Sequence, residues 1–157
     1  RYARYSEEGA DYVENMQRLL RKFETARRLC PAPVREDAPG GSRIGVLYYG
    51  STTPAMHEAI EALTAAGHPL DTMRLRAFPF HERVADFIDE HDFVFVVEQN
   101  RDAQMRTLLV NELGIDPARL VPVLHYDGTP VTARFIARAI GDHLGALKVA
   151  PLRKQAS

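Results

Sequence analysis

Four short apolar segments alternate with longer helical segments along residues 43–145, and this alternation restricts the possible folds more than any other feature. The segments predicted as strands span residues 43–49, 72–78, 93–97 and 120–126, and the predicted helices span residues 54–66, 82–91, 102–113 and 132–144. Because the connections between them are short, right-handed crossovers between parallel strands are favoured. The pattern therefore predicts an α/β fold with three layers, a mostly parallel open sheet covered by helices on both sides.

Individual residues refine this prediction. Phe93 to Val97 is the most apolar segment of the chain, so we predict that it forms the central strand. Thr52 or Thr53 is expected to cap the helix that follows the first strand, with Pro54 at a first helical position, where its missing N–H costs nothing. Gly145 is expected to end the last helix.

The residues before the first of these strands differ in composition from the rest. Between Glu7 and Leu29, apolar residues recur at steps of three and four, which predicts a long amphipathic helix. Its apolar face contains Tyr12, Met16, Leu19, Leu20 and Phe23. Pro31 to Ser42 contains three prolines and two adjacent glycines, which is typical of a linker. The sequence thus predicts an N-terminal helix at 1–30, a linker at 31–42, an α/β domain at 43–145 and a basic flexible tail at 146–157.

Charge and cysteine content limit the classes of partner and site. Twenty Lys and Arg residues and 21 Asp and Glu residues give a formal net charge of -1, so we expect neither a nucleic acid nor a membrane as a partner. The single cysteine, Cys30, cannot form an internal disulfide or ligate a metal cluster alone, and it suits a reducing, cytoplasmic location. Because the sequence starts at Arg1 and not at Met, we expect it to be a segment of a longer polypeptide.

Ligands of open α/β sheets bind beyond the carboxyl ends of the strands, so the loops there are the candidate sites. Gly50 and Ser51 lie in a loop whose hydroxyls and amides could hold an anion, although helix capping explains the same residues. His81 beside Glu82 could act as an acid or base, or could simply begin a helix. No pair of histidines has the spacing of a metal-binding motif, so no metal site is predicted.

The run Glu98, Gln99, Asn100 is the most informative of these sites, because three polar residues follow the apolar segment abruptly. A carboxylate at such a strand end is costly to bury unless it accepts hydrogen bonds or pairs with a cation. Two interpretations remain open. In one, Asn100 or Asp102 caps the next helix and Glu98 accepts from neighbouring amides. In the other, the cluster faces a ligand or a partner.

Three stretches of the sequence resemble the C-terminal part of the α subunit of 2-oxoacid:ferredoxin oxidoreductases, in particular the 2-oxoglutarate enzymes. These are Ile44 to Ser51 (Ile-Gly-Val-Leu-Tyr-Tyr-Gly-Ser), Met73 to Pro79 (Met-Arg-Leu-Arg-Ala-Phe-Pro) and Val97 to Gln104 (Val-Glu-Gln-Asn-Arg-Asp-Ala-Gln). In the last stretch, Glu98, Asn100 and Gln104 match the family pattern Val-Glu-x-Asn-x-x-Gly-Gln. Ala103 occupies the Gly position, so we expect the turn to be tightened differently.

The resemblance implies a fold like the C-terminal domain of transketolase, with about five strands and room for an antiparallel strand at one edge. It also implies that the parent enzyme oxidatively decarboxylates a 2-oxoacid with coenzyme A to an acyl-CoA and CO2. The implied cofactors are thiamine diphosphate, magnesium and an iron–sulfur cluster, and ferredoxin is the implied electron acceptor. The chain has no Gly-Asp-Gly run and only one cysteine. We therefore expect these cofactors in the β subunit and the rest of the α subunit, and none bound by this chain.

Two functions follow as hypotheses. In the first, the chain is a non-catalytic assembly domain of such an α subunit, inactive alone and packed against the rest of that subunit and the β subunit. Its polar cluster at an interface or cleft would then comprise Glu98, Asn100 and Gln104 with Gly50 and Ser51. In the alternative, the chain is a free-standing doubly wound domain that binds a small anion or a nucleotide at the same loops.

Overall fold

The computed structural model describes residues 5–149 and contains five helices and five strands within that range. The helices are α1 (Gly9–Leu29), α2 (Thr53–Ala65), α3 (Arg83–Glu90), α4 (Gln104–Leu113) and α5 (Ala133–Val149). The strands are β1 (Val34–Glu36), β2 (Ile44–Tyr49), β3 (Asp71–Leu75), β4 (Phe93–Glu98) and β5 (Leu120–Leu124). No helix in this range combines the length and the apolar character that a crossing of a membrane requires.

The strands form one sheet in the order β1-β3-β2-β4-β5, and only β1 runs antiparallel to its neighbour. Helices cover both faces. Buried residues of α2 and α5 pack on one face around Val46 and Phe95, and buried residues of α3 and α4 pack on the other around Leu47 and Val96. The predicted three-layer α/β fold with a mostly parallel sheet of five strands is therefore confirmed.

The prediction of the central strand is wrong, because β2 and not β4 occupies the middle of the sheet. β4 lies between β2 and β5, and five of its six residues are buried. A continuous apolar segment indicates that both faces of a strand are covered. Every interior strand of such a sheet is covered in this way. It does not report the position of the strand within the sheet.

The segment predicted as a linker contains the edge strand β1, which the sequence analysis did not identify. Its three residues pair with β3 in the register Val34 to Arg74, Arg35 to Met73 and Glu36 to Thr72. A three-residue strand has no detectable alternation of its own, and its partner lies almost forty residues away in the sequence. The antiparallel edge that the family resemblance allowed is this strand.

A buried pair of side chains fixes the loop that follows β1. The two carboxylate oxygens of Asp71 accept hydrogen bonds from the backbone N–H groups of Ala38 (2.8 Å) and Ser42 (3.1 Å). Asp71 also contacts Nε2 of His91 at 3.2 Å, and Nδ1 of His91 lies 2.5 Å from the carbonyl oxygen of Phe87. Both side chains are almost fully buried. Asp71 therefore ties the segment before β2 to the body of the domain.

Two predictions about helix ends are also wrong. The last helix does not stop at Gly145 but continues to Val149, so residues 146–149 of the predicted tail are helical; residues 150–157 lie outside the described residues. Thr52 precedes α2 but makes no side-chain capping bond, and Thr53 is already the first helical residue. A short 3-10 turn, Gly50–Thr52, leads into the helix instead.

Candidate functional site

Glu98, the last residue of β4, is completely buried, and both oxygens of its carboxylate accept hydrogen bonds from groups of the same domain. One oxygen accepts hydrogen bonds from the Asn100 side-chain amide and from the backbone N–H of Met105, both at 2.7 Å. The other accepts from the backbone N–H of Arg106 at 2.9 Å. Met105 and Arg106 lie in the first turn of α4, whose N–H groups have no partner within the helix. Glu98 therefore caps α4 and places a negative charge at the positive end of its dipole.

Asn100 shapes the loop between β4 and α4. Its side-chain oxygen accepts from the backbone N–H groups of Asp102 (3.0 Å) and Gln104 (3.3 Å), while its amide nitrogen donates to Glu98. Asp102 does not cap the helix, because its carboxylate binds the neighbouring Arg101 side chain at 2.7 Å. Gln104 is exposed at the start of α4 and contributes its backbone N–H to this arrangement. The contacts of Glu98 and Asn100 are those of the loop-fixing interpretation.

The pKa of the Tyr49 side chain depends on its contacts with the same cluster. Burial raises the pKa of Tyr49, and the nearby Glu98 carboxylate raises it further, whereas a hydrogen bond with the Asn100 side chain acts in the opposite direction. The phenol therefore remains protonated at neutral pH and lies beside the buried carboxylate as a neutral group.

Ala103 adopts the left-handed conformation immediately before α4, with φ +50° and ψ +48°. Within residues 5–149 it is the only residue other than glycine with a positive φ. This is the position at which the resembling family has glycine, which adopts such a conformation without steric cost. The turn therefore keeps the left-handed conformation that glycine adopts readily, and alanine adopts it here at a steric cost.

Replacing Ala103 by Gly is expected to raise the free energy of unfolding by about 0.5–1 kcal/mol, because relief of the left-handed strain exceeds the added chain entropy. The measurement is urea unfolding followed by circular dichroism. Ala62→Gly, in the interior of α2, is the matched control and should lower stability by about 1 kcal/mol. Equal destabilisation by the two substitutions would contradict the assigned strain.

Gln99 joins three loops, a role that the sequence analysis did not assign to it when it singled out the polar run Glu98, Gln99, Asn100. Its amide nitrogen donates to the hydroxyls of Ser51 (3.1 Å) and Thr52 (3.2 Å), and its side-chain oxygen accepts from the backbone N–H of Val131 at 3.3 Å. These partners lie in the loops after β2 and β5, on either side of β4. The only sequence signal was the alternation of side chains, which directs Gln99 away from Glu98 and Asn100.

The loop after β2 is thus engaged internally. Gly50 has a φ of +59°, its carbonyl accepts from the Thr53 hydroxyl at 2.9 Å, and Ser51 and Thr52 meet Gln99. The structure brings Glu98 and Asn100 together directly and links the Gly50–Ser51 loop to the same strand end through Gln99. The hydroxyl oxygens of Ser51 and Thr52 accept hydrogen bonds from Gln99, which fixes the position of this loop.

The remaining candidates have local structural roles. His81 accepts a hydrogen bond from the backbone N–H of Arg83 at 3.3 Å, where α3 begins. Asp127 accepts from the backbone N–H and the hydroxyl of Thr129, and these bonds hold the pKa of Asp127 below its usual value. Within residues 5–149, no three His, Cys, Asp or Glu side chains lie together in a way that could hold a metal ion.

Comparison with solved structures identifies the architecture. A 2-oxoglutarate:ferredoxin oxidoreductase from Magnetococcus marinus, with 2-oxoglutarate, coenzyme A and succinyl-CoA bound, superposes on 88% of this chain with a TM-score of 0.77 and 20% sequence identity. A split-gene transketolase, in the form of an inactive tetramer of four beta subunits, superposes on 72% of this chain with a TM-score of 0.56 and 16% identity. The fold is that of the transketolase C-terminal domain. The fold implied by the sequence resemblance is therefore confirmed.

The compared chains differ in extent from this one. The chain spans 24% of the Magnetococcus marinus chain and 41% of the transketolase chain. The α chain of a probable 2-oxoacid ferredoxin oxidoreductase from Thermoplasma acidophilum matches with 25% identity and a TM-score of 0.49, covering 73% of this chain and 97% of that one. No family model and no curated protein sequence matches this chain.

Proposed function

We propose that this chain is a non-catalytic assembly domain of a 2-oxoacid:ferredoxin oxidoreductase α subunit of the 2-oxoglutarate type. The likeness in fold and the three matched sequence stretches support this assignment. The observation that carries the assembly role is the uncovered apolar face of α1. In this proposal the parent enzyme converts a 2-oxoacid and coenzyme A to an acyl-CoA and CO2 and passes electrons to ferredoxin.

Helix α1 has 21 residues and is about 30 Å long, yet within residues 5–149 none of its side chains is buried. The α1 face, which we define as Tyr12, Val13, Met16, Leu19, Leu20 and Phe23, presents its apolar side chains to solvent. Leu20 is 63% exposed and Phe23 is 53% exposed. Contiguous apolar surface of this kind marks an interaction site in a water-soluble domain.

The C-terminal end of α1 is anchored to the domain, which fixes the direction of the helix. The Phe23 ring packs edge-on against Phe78 at 6.3 Å between centroids, and Phe78 packs in the same way against the buried Phe80. The rest of the α1 face is left for another body. We assign that body to the rest of the parent enzyme, its β subunit included, because this chain spans only a quarter of the Magnetococcus marinus chain.

The chemistry of the proposed enzyme is assigned to groups outside this chain. Glu98 and Asn100 are committed to capping α4 and its loop, and Cys30 is the only thiol in the sequence. Thiamine diphosphate, magnesium and the iron–sulfur cluster would be held by the β subunit and the rest of the α subunit. This domain would supply a rigid wall, because Gln99 locks together the loops at the carboxyl edge of the sheet.

Replacing Leu20 by Glu is expected to weaken co-purification of the α subunit with its β subunit by at least about 30-fold in apparent affinity. The substitution removes buried apolar area and puts a carboxylate into a dry interface. Because Leu20 is exposed, the circular dichroism spectrum of the chain alone should not change.

Thr25→Glu is the matched control, because Thr25 is exposed on the opposite side of α1 and receives the same new charge. It should leave co-purification unchanged. If Leu20→Glu assembles as well as Thr25→Glu does, the α1 face is not the docking surface.

A further inference from the structure

A half-open groove of about 350 Å³ lies beside α2, on the sheet face opposite to α3 and α4. One wall is a face of α2 that includes Met56, Ile60 and Glu61, and the other is the loop after β1. The floor is formed by Tyr48 of β2 and Thr72 of β3. This volume falls in the range of sites for small ligands. The groove is separate from the carboxyl-edge loops and from the α1 face.

The Tyr48 hydroxyl is a polar group without a protein partner at the bottom of this groove. Tyr48 is only 3% exposed, and its hydroxyl makes no hydrogen bond to any residue in the described range 5–149. Burial raises the pKa of Tyr48 and the Glu36 carboxylate raises it further, whereas the Arg74 guanidinium acts in the opposite direction; the net effect is upward, so the phenol is neutral at pH 7. Its oxygen can therefore accept a hydrogen bond from a ligand, and its O–H can donate one.

The charged residues that line the groove are acidic, His57 also lines it, and the Arg74 cation lies near Tyr48 outside the lining of the groove. Its acidic lining residues are Glu36, Asp37 and Glu61, and no Lys or Arg is among its lining residues. Asp37 is neutralised by Arg35 at 2.6 Å. Glu36 and Glu61 have no ion pair within residues 5–149. The groove therefore combines a negative rim with the apolar side chains of Met56, Ile60 and Leu70.

We propose that this groove binds a small organic cation, an ammonium or guanidinium group carried on a short apolar stem. The cationic head would donate to the Glu36 carboxylate and the Tyr48 oxygen, which gives charge-assisted hydrogen bonds. The stem would lie against Met56 and Ile60. Anions are rejected by the acidic rim, and a hydrated metal ion would leave the apolar wall uncovered. This inference does not rest on the proposed function.

The test is a nuclear magnetic resonance titration of the whole chain with n-butylguanidinium. We expect saturable chemical-shift changes centred on the amides of Glu36, Tyr48 and Thr72. Butyrate, which has a stem of similar length and the opposite charge, should give no saturable change. A response to butyrate equal to that of n-butylguanidinium, or no response to either, would overturn the proposal.

Three variants locate the site. Glu36→Gln should weaken n-butylguanidinium binding about tenfold or more, because a charged hydrogen-bond acceptor is lost. Tyr48→Phe should weaken it about fivefold and leave the fold intact, because the hydroxyl has no protein partner to lose. Glu58→Gln is the matched control, since Glu58 lies on α2 outside the groove. Unchanged affinity in both Glu36→Gln and Tyr48→Phe would refute the assignment.

Discussion

Replacing Glu98 by Ala is expected to lower the free energy of unfolding by about 3–5 kcal/mol, the cost of removing one partner from a buried charged network. The substitution leaves three donors without an acceptor: the N–H groups of Met105 and Arg106 and the Asn100 amide. Because these contacts are only partly buried, each unsatisfied donor is expected to cost about 1 kcal/mol, the lower end of the range for buried groups. Loss of the charge at the start of α4 adds about 0.5 kcal/mol. Urea unfolding followed by circular dichroism measures the sum.

Glu112→Ala is the control for this prediction, because Glu112 lies in the same helix and is exposed. It should change stability by less than about 0.5 kcal/mol. Glu98→Gln should fall between the two, since an amide keeps the shape but presents an N–H group to one of the N–H donors. A Glu98→Ala variant as stable as Glu112→Ala would show that the carboxylate does not hold the helix.

The same variant separates the two interpretations of the polar run. If Glu98 acts through the position of α4, Glu98→Ala should impair assembly only to the extent that it unfolds the domain. Under conditions where the variant is folded, co-purification with the β subunit should match that of the unchanged chain. Loss of assembly in a fully folded Glu98→Ala variant would instead favour a direct role at an interface.

Replacing Asp71 by Ala is expected to have a comparable effect, about 3–5 kcal/mol, by removing a buried carboxylate from its partners. Ala38 and Ser42 would lose the acceptor of their backbone N–H groups, and His91 would lose its neighbour. Unlike the Glu98 variant, this one should act first at the edge of the sheet. Amide hydrogen exchange should accelerate in β1 and the following loop before it accelerates in β2 and β4.

Asp142→Ala provides the matched control for Asp71, because Asp142 is exposed and its nearest cation is Arg138 at 3.6 Å. A surface pair of this type contributes about 0.3–0.5 kcal/mol. If exchange in β1 is unchanged by Asp71→Ala, the carboxylate does not anchor the edge strand.

The sequence predicted the elements that show as a run or a period of apolar residues. It did not predict single contacts between residues that are far apart in the chain. The interior strands β2 and β4 are visible as apolar runs because both of their faces are covered. β1 and the bond from Gln99 to Val131 depend on partners more than thirty residues away, which no local period reports. The continuation of α5 past Gly145 shows that glycine is tolerated within a helix at a cost of about 1 kcal/mol.

The polar cluster at the end of β4 was visible in the sequence, but its contacts were not. An abrupt change from apolar to polar residues identified the end of β4 correctly, because a buried carboxylate there requires a defined set of donors. The sequence could not show that those donors are the first N–H groups of α4. It also could not show that the residue that contacts the neighbouring loops is Gln99. Asn100 and Gln104 were the expected candidates.

The most direct test of the central claim is turnover by the complex that the polypeptide containing this chain forms with its β subunit. The proposal predicts reduction of ferredoxin that depends on both 2-oxoglutarate, or another 2-oxoacid, and coenzyme A, with acyl-CoA as product. It also predicts that this activity falls with assembly in Leu20→Glu and persists in Thr25→Glu. A purified complex that reduces no ferredoxin with any 2-oxoacid and coenzyme A would contradict the assignment.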